Sequence, residues 1–358
     1  MSADLLELER PDAALERALE GGQMPRPAVW GVVVFTIALG AVVSSVVFHM
    51  GPTGAVLITA PVVIAGTWGV ARVVEGARRA TDRLVTMLVL AAFALAIAPL
   101  VSVLWTVVQK GLARFDAEFF THDMRGVIGE GGGALHAIAG TLLITAAAAV
   151  ISVPIGIMTA IYLVEYGRGW LARTITMLVD VMTGIPSIVA GLFAFALFEI
   201  FFGPGVRLGV GGAVALSVLM IPIVVRTTEE MLRLVPNDLR EASYALGVPK
   251  WRTVVQVVVP AAASGISAGV ILAIARIIGE TAPLLIIAGA TTNLNLNLFS
   301  GRMATLPVFT FSSYAAPGFP PEAAKDRAWA AALTLMLIVM ILNLVARLIS
   351  RLLAPKTA

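Results

Sequence analysis

Long apolar segments separated by short polar ones run along the chain from residue 28 to residue 353. A helix that crosses a bilayer needs about 20 mostly apolar residues. The pattern therefore predicts an all-α integral membrane protein whose first two helices form a hairpin around a short turn at 51–53. The predicted spans are eight segments: 28–49, 54–74, 84–108, 135–164, 173–199, 208–227, 258–288 and 329–353.

Composition supports membrane burial. Of the 358 residues 59% are hydrophobic and only 13% are charged, whereas soluble domains carry about 25% charged residues. The chain has no cysteine, which excludes disulfides and cysteine-based metal or redox sites. Its three histidines share no metal-ligand spacing, so no metal site is expected. The small net charge of +3 comes from the flanks of apolar segments and gives no reason to expect nucleic acid.

The positions of the basic residues predict the orientation. If the polar N-terminal segment (1–27) is a cytoplasmic tail, most of the 25 Lys and Arg residues fall in cytoplasmic segments, as the positive-inside rule requires. Both termini are then cytoplasmic, and the protein is predicted to cross the membrane several times. Two long segments, 109–135 and 289–329, lie outside. The second contains a half-apolar stretch, Met303–Tyr314, that is too short to span and is expected to be a re-entrant or interfacial helix.

The longest predicted cytoplasmic connection runs from Arg226 to Pro260 and contains a short helix. Asn237 is a good N-cap, and the carboxylate of Asp238 is favourable in the first turn. Gly247 can adopt the left-handed conformation that ends a helix, and Pro249 prevents its continuation. The residues thus predict a helix of about ten residues.

Such a helix is not stable alone in water. Leu239, Ala242 and Leu246 form a narrow apolar stripe along it. The stripe leaves two alternatives, a helix that lies on the lipid surface and a helix that docks in a groove of a partner protein.

The loop resembles the EAA signature of ABC importer permeases. Glu241-Ala242-Ser243, then Gly247, then a run of valines before Pro260, follow that family's spacing, with serine in place of the second alanine and valines in place of Ile and Leu. The resemblance implies a coupling helix that sits in a cleft of a cytoplasmic ATP-binding subunit. The residues expected to couple are Asp238, Leu239, Glu241, Ala242, Ser243, Gly247 and Pro260.

We find no Gly-x-x-x-x-Gly-Lys-Ser/Thr loop that would hold the phosphates of a nucleotide. The chain itself is therefore not expected to be an enzyme or to bind a cofactor. ATP and Mg are expected on a separate ATPase subunit.

Arg276 and Glu280 are charges deep within a predicted span. An arginine in mid-membrane costs about 2.5–3.5 kcal/mol and requires a partner or water. Because the two residues are four apart, they are predicted to share one helix face and to pair. The pair either fixes helix packing or contacts an anion in a translocation path, and we favour the second reading. Asp180 is expected to make a polar contact between helices, and Arg226 to extend to the membrane surface.

Two interruptions of predicted spans matter for a path. Residues 184–187 include Pro186 and Ser187, and residues 279–283 include Thr281 beside Glu280. Both interruptions free backbone groups and permit a kink where a pore can open. The candidate path residues are Arg276, Glu280 and Thr281, followed by Asp180, Pro186 and Ser187.

Four stretches resemble the PstA-type subunit of bacterial phosphate importers: 132–145, 184–193, 275–285 and 303–311. In that family, intramembrane charges at the positions of Arg276 and Glu280 are associated with phosphate passage. The resemblance implies a type I ABC importer permease fold with a six-helix core. It also implies a multi-pass location in the bacterial plasma membrane, a PstC-type permease partner, two ATP-binding subunits and an extracytoplasmic phosphate-binding protein.

The predicted organisation is a tail (1–27), an accessory hairpin (28–83) and a permease core (84–354) with its coupling loop at 228–257. The predicted function is phosphate import driven by ATP hydrolysis in a separate subunit. Three alternatives are an ABC permease for another oxyanion such as sulfate or molybdate, a secondary anion transporter, and a membrane receptor or scaffold without transport.

Overall fold

The computed structural model describes residues 26–42 and 52–353, and its regular elements within these ranges are all helical. The predicted all-α fold is confirmed. Most of the predicted tail (1–27) and the end of the first predicted span lie outside the described residues. The α-helices are α1 (Arg26–Val42), α2 (Pro52–Val74), α3 (Ala77–Gly111), α4 (Ala117–Thr121), α5 (Leu135–Ile161), α6 (Gly169–Thr183), α7 (Ser187–Phe202), α8 (Gly209–Arg233), α9 (Asn237–Ala245), α10 (Lys250–Thr253), α11 (Val259–Ile277), α12 (Ala282–Ile287), α13 (Leu306–Ala315) and α14 (Pro321–Leu353).

Within the described ranges, five helical segments are long and apolar enough to cross a membrane, or six if the bent pair α6 and α7 is one span. The total of eight spans and the cytoplasmic position of the termini stay predictions. The predicted span 258–288 is too long, because α11 ends at Ile277 and α12 is a separate short helix.

The chain divides into two compact units, residues 1–104 and 105–358. In the first unit α1 and α2 pack closely through small residues. A Cβ added at Gly40 would lie 2.8 Å from the Cα of Thr59, and one at Gly66 would lie 2.4 Å from the Cγ2 of Thr36. These close approaches support the predicted hairpin. The proposed boundary between hairpin and permease core at residue 84 stays a prediction.

The second unit is built around α8, which is the most buried of its long helices. Buried residues of α5, α8 and α11, such as Ile144, Leu216, Met220 and Ala273, form its central apolar core. Glycines allow close packing in this core, as they do between α1 and α2. A Cβ added at Gly156 would lie 2.6 Å from the Cγ1 of Val224.

The short helix α12 packs directly against α7. A Cβ added at Gly191 of α7 would lie 2.5 Å from the Cα of Pro283 in α12, so the two backbones are in contact at this point. On the predicted outer side, α13 confirms the short helix expected within Met303–Tyr314. The first amide of α13, Leu306 N–H, donates to Thr141 Oγ1 of α5 at 2.7 Å.

Candidate functional site

A cavity of about 180 Å³ lies where two interrupted helices meet α8. The first interruption separates α6 from α7 with a bend of 109°, and the second follows α11. The cavity is many times larger than the roughly 30 Å³ that one water occupies. Its polar lining is Thr183, Ser187, Arg276 and Glu280, and Pro222 of α8 forms part of the opposite wall. We call it the inner cavity.

The local sequence explains both interruptions. Pro186 has no N–H to donate and disfavours a helical conformation at the residue before it, so α6 cannot continue into α7. At the second break, Gly279 follows α11 and Pro283 occupies the second position of α12, where a missing N–H costs nothing. Single turn bonds, such as Glu280 N–H to the Ile277 carbonyl at 3.1 Å, replace the helical ladder. Both predicted breaks are confirmed, and the first is a sharp bend.

Arg276 and Glu280 both line the inner cavity, but they do not form the predicted ion pair. The prediction was wrong because it assumed a continuous helix, whereas α11 ends at Ile277 and Glu280 lies beyond its last turn. None of the ion pairs within 4.0 Å in the described part of the chain joins these two side chains. Arg276 is exposed and Glu280 is half-buried.

The other predicted path residues are distributed unevenly. Ser187 lines the inner cavity, and Pro186 belongs to the bend beside it. Thr281 faces a different, mainly apolar pocket of about 470 Å³, together with Tyr314 and Trp329. Asp180 also lies outside the inner cavity.

Asp180 belongs to a charge network that joins α6 to α8. Its carboxylate accepts from Arg226, which also donates to Glu229 Oε2 at 2.8 Å. Glu229, only 5% exposed, accepts a further hydrogen bond from Arg233 at 2.5 Å through Oε1. The expectation that Arg226 merely extends to the membrane surface was therefore wrong. Sequence reasoning missed Glu229. The signal that could have found it is its spacing, three residues after Arg226 and four before Arg233, which places all three on one helix face.

The predicted cytoplasmic helix is α9. Its end is as expected: Gly247 has φ +76°, its N–H donates to the Tyr244 carbonyl at 2.9 Å, and Val248 N–H donates to the Ser243 carbonyl at 3.2 Å. This is a Schellman motif. The predicted N-cap was wrong, because Pro236 occupies that position and Asn237 is already helical.

Two intrachain contacts hold α9. Arg240 donates to Glu165 Oε1 at 3.0 and 2.8 Å, and Glu165 lies in the π-helical turn after α5, Tyr162–Tyr166. Ser243 is buried, and its hydroxyl is 2.8 Å from that of Thr253 in α10. Ser243 thus has an internal contact, and its part in coupling to an ATPase stays a prediction. The helix does not depend on a partner alone.

The other predicted coupling residues form an exposed surface. Leu239 is 44% and Leu246 is 84% exposed. Asp238, Glu241 and Ala242 are exposed beside them, and Pro260 is exposed in the first turn of α11. The apolar stripe predicted from the sequence is thus uncovered in the isolated chain.

On the predicted outer side, Asp123 connects two segments that are distant in sequence. Its Oδ1 accepts from Arg125 N–H and its Oδ2 from Leu294 N–H, at 3.0 and 3.1 Å. These backbone hydrogen bonds stabilise the charged form and lower the pKa of Asp123 below its usual value. Met124 N–H also donates to the Thr292 carbonyl at 2.9 Å, so the two outer segments are fastened together.

Comparisons with known proteins agree with the resemblance found in the sequence. Residues 152–358, which include both helix breaks and α9, match the family described as "Binding-protein-dependent transport system inner membrane component". "Phosphate transport system permease protein PstA 1" of Mycobacterium tuberculosis is 47% identical over 73% of this chain and 86% of the relative. PstA of Mycobacterium leprae is 46% identical (75% and 88%), and that of Yersinia pestis 40% identical (73% and 87%).

Among solved structures, a chain of the inward-facing MetNI methionine ABC transporter aligns with a TM-score of 0.48. The alignment has 20% identity and covers 62% of this chain and 95% of that chain. The family and its curated relatives confirm the predicted location in the plasma membrane and the PstA-type resemblance. The chain belongs to the family of binding-protein-dependent transport system inner membrane components.

Proposed function

We propose that this chain is a permease subunit for inorganic phosphate and that the inner cavity is part of its translocation path. The observation that carries the proposal is that Arg276 and Glu280 line one cavity between two broken helices. Guanidinium binds a tetrahedral oxyanion through parallel hydrogen bonds. Because the two side chains are not paired, Arg276 keeps its donors for an anion, while the carboxylate nearby keeps the anion from binding too tightly to leave.

The names of the relatives support phosphate as the substrate. They are called phosphate transport system permease proteins and are 40–47% identical to this chain. The chain's family is that of binding-protein-dependent transport systems, which favours this function over a secondary transporter or a scaffold without transport. Another oxyanion, such as sulfate or molybdate, is the competing substrate in the test below.

We further propose that the exposed face of α9, formed by Leu239, Ala242 and Leu246, docks on a cytoplasmic ATP-binding subunit. Its anchors suit a lever, because Arg240 links α9 to the turn after α5 and Ser243 links it to the start of the α10–α11 helix. A displacement of α9 is then passed to helices that reach the inner cavity. ATP and Mg bind to the ATPase, and this chain has no catalytic role of its own.

The complete assembly in this proposal contains a homologous PstC-type permease, two ATP-binding subunits and an extracytoplasmic phosphate-binding protein. The second permease supplies the other half of the path. Its presence accounts for the exposure of Arg276 in the isolated chain.

The test is uptake by the complex reconstituted in proteoliposomes with its binding protein. We expect ATP-dependent accumulation of radiolabelled phosphate that persists when the proton gradient is collapsed, with little uptake of sulfate or molybdate. Preferential uptake of either of those anions would reassign the substrate. Loss of uptake on collapse of the gradient with ATP maintained would overturn the ABC mechanism.

A further inference from the structure

A second polar cavity, of about 290 Å³, lies among the predicted outer segments. We call it the outer cavity. Its polar lining comes from four separate parts of the chain: His136 at the start of α5, Thr291 and Thr292 after α12, Ser313 on α13 and Arg327 on α14. It does not share lining residues with the inner cavity.

Arg327 and His136 bring hydrogen-bonding groups to the outer cavity that no atom of the described residues uses. Arg327 is 6% exposed, and its Nη1 donates to the carbonyls of Gly129 and Gly131 at 2.8 and 2.9 Å. Its buried Nε has no partner in the described part of the chain. The side-chain hydrogen bonds that Arg327 makes there both come from Nη1. The Nε–Nη2 edge is one of the two-donor forks through which arginine binds carboxylate and phosphate.

His136 is 1% exposed and neither ring nitrogen has a partner. Its ring contacts Phe309 edge to face, with 5.3 Å between centroids. Buried polar side chains nearly always have a partner, so two such groups on one cavity indicate that something else binds there.

The charges select the sign of that ligand. No carboxylate is among the described residues that line the outer cavity. Besides the guanidinium, the hydroxyls of Thr291, Thr292 and Ser313 can donate hydrogen bonds to a ligand there. Arg327 also lines a separate cavity of about 430 Å³, where the four carboxylates of Glu118, Glu130, Glu322 and Asp326 outnumber the cations of Arg114 and Arg327. An anion is repelled from that acidic cavity and favoured in the outer cavity.

We propose that the outer cavity binds a phosphate-type oxyanion and that its occupant is free inorganic phosphate. The proposal rests on the proposed function and deepens it, since it gives the substrate an additional binding site on the outer side, before the inner cavity. Phosphate chemistry is also present in lipid headgroups. The test therefore separates the two sources.

The absence of cysteine from the chain permits a direct test in the complete transporter complex. Ser313→Cys places one thiol in the outer cavity, and Ser300→Cys places one on the exposed outer loop as a matched control. Each thiol is labelled with a sulfonate-bearing methanethiosulfonate, and labelling is measured on this chain alone. We expect inorganic phosphate, at about ten times its Kd, to slow labelling of Ser313→Cys about tenfold and to leave Ser300→Cys unchanged. Equal labelling with and without phosphate would overturn the proposal.

A second variant tests the residues. His136→Phe keeps the ring contact with Phe309 but removes both nitrogens, and in the Ser313→Cys background it should reduce the protection by phosphate. The same change at exposed His122 is the control. Retained protection in His136→Phe together with Arg327→Lys would contradict the assignment.

The remaining comparison concerns the source of the phosphate group. In nanodiscs of phosphatidylcholine, protection should follow added phosphate. Protection in phosphatidylglycerol discs without added phosphate would assign the cavity to lipid and overturn the choice of occupant. Uptake by the wild-type complex is measured in parallel. Import of phosphate without protection of Ser313→Cys from labelling would refute only the binding site in the outer cavity. Protection by phosphate in a complex that imports another anion would refute only the proposed substrate of transport.

Discussion

Arg240 donates two hydrogen bonds to the same carboxylate oxygen of Glu165, from Nε at 3.0 Å and from Nη2 at 2.8 Å. The side chains are 12% and 5% exposed, so this ion pair is largely withdrawn from water. Arg240 also donates to the carbonyls of Leu232 and Val235. One guanidinium thus fastens α9 to the end of α8 and to the turn after α5.

The first prediction concerns this pair. Glu165→Leu leaves the buried cation of Arg240 without its counter-ion, and we expect a loss of about 3–5 kcal/mol of stability. The measurement is the thermal denaturation midpoint of the purified complex in detergent. The double variant Glu165→Leu/Arg240→Met removes both charges and should recover part of the loss. A double variant that is less stable than the single one would contradict the role of the pair.

The second prediction concerns the end of α9. Gly247→Ala forces an alanine into a left-handed conformation, at a cost of about 1–2 kcal/mol. A Cβ there has nothing within 4 Å, so the effect is conformational and not steric. We expect weaker co-purification of the ATPase and less uptake per ATP hydrolysed, with partial recovery in Gly247→Asn.

Gly169 is the matched control for that variant. It has φ +75°, and it too has nothing within 4 Å of an added Cβ, but it begins α6 outside the coupling loop. Gly169→Ala should cost similar stability and leave ATPase binding intact. Equal loss of binding in both variants would mean that general destabilisation, and not the shape of α9, is responsible.

The third prediction concerns the inner cavity. Arg276→Ala removes a charged donor, an interaction worth about 1.5–3 kcal/mol, and should lower ATP-driven phosphate uptake by about ten- to hundredfold. Assembly should persist because Arg276 lines the inner cavity and makes no ion pair in the described part of the chain, and co-purification of the partner subunits checks this. Arg302→Ala, on the exposed outer loop, is the control. Normal uptake by Arg276→Ala would remove this residue from the path.

The fourth prediction is a pH dependence of the outer segments. The pKa of Asp123 is lowered in the folded protein, so its stabilising contribution is complete above the ordinary aspartate pKa of about 4 and is lost as the pH falls through the lower folded-state value. Amide hydrogen exchange at Leu294 should therefore accelerate below about pH 4, beyond the intrinsic effect of pH. In Asp123→Asn this additional pH dependence should disappear, and its persistence would assign the effect to another group.

Local sequence signals predicted local structure well. Gly247 and Pro249 gave the end of α9, and Pro186 and Gly279 gave the two breaks, because these residues restrict the backbone within a few positions. The predicted Arg276–Glu280 pair failed for the same local reason: the i,i+4 rule holds only within a continuous helix, and the break that was predicted beside Glu280 removes it.

Contacts between distant residues were not predictable. Arg240 and Glu165 are 75 positions apart, and nothing in either segment indicates the other. Ser243, a departure from the family's alanine, is buried against Thr253 of α10 because of how α10 folds back on α9. The polar lining of the outer cavity comes from four segments, so only the three-dimensional fold could bring His136 and Arg327 to one place.

The contact between Gly191 and Pro283 limits how the inner cavity can change shape. Because α7 and α12 touch backbone to backbone, no layer of side chains between them can deform, and the two broken elements have to move as one wedge. The opposite wall is different, since Pro222 removes a hydrogen bond from the interior of α8. We therefore expect any widening of the passage to occur by flexing of α8 at Pro222, because α7 and α12 move together.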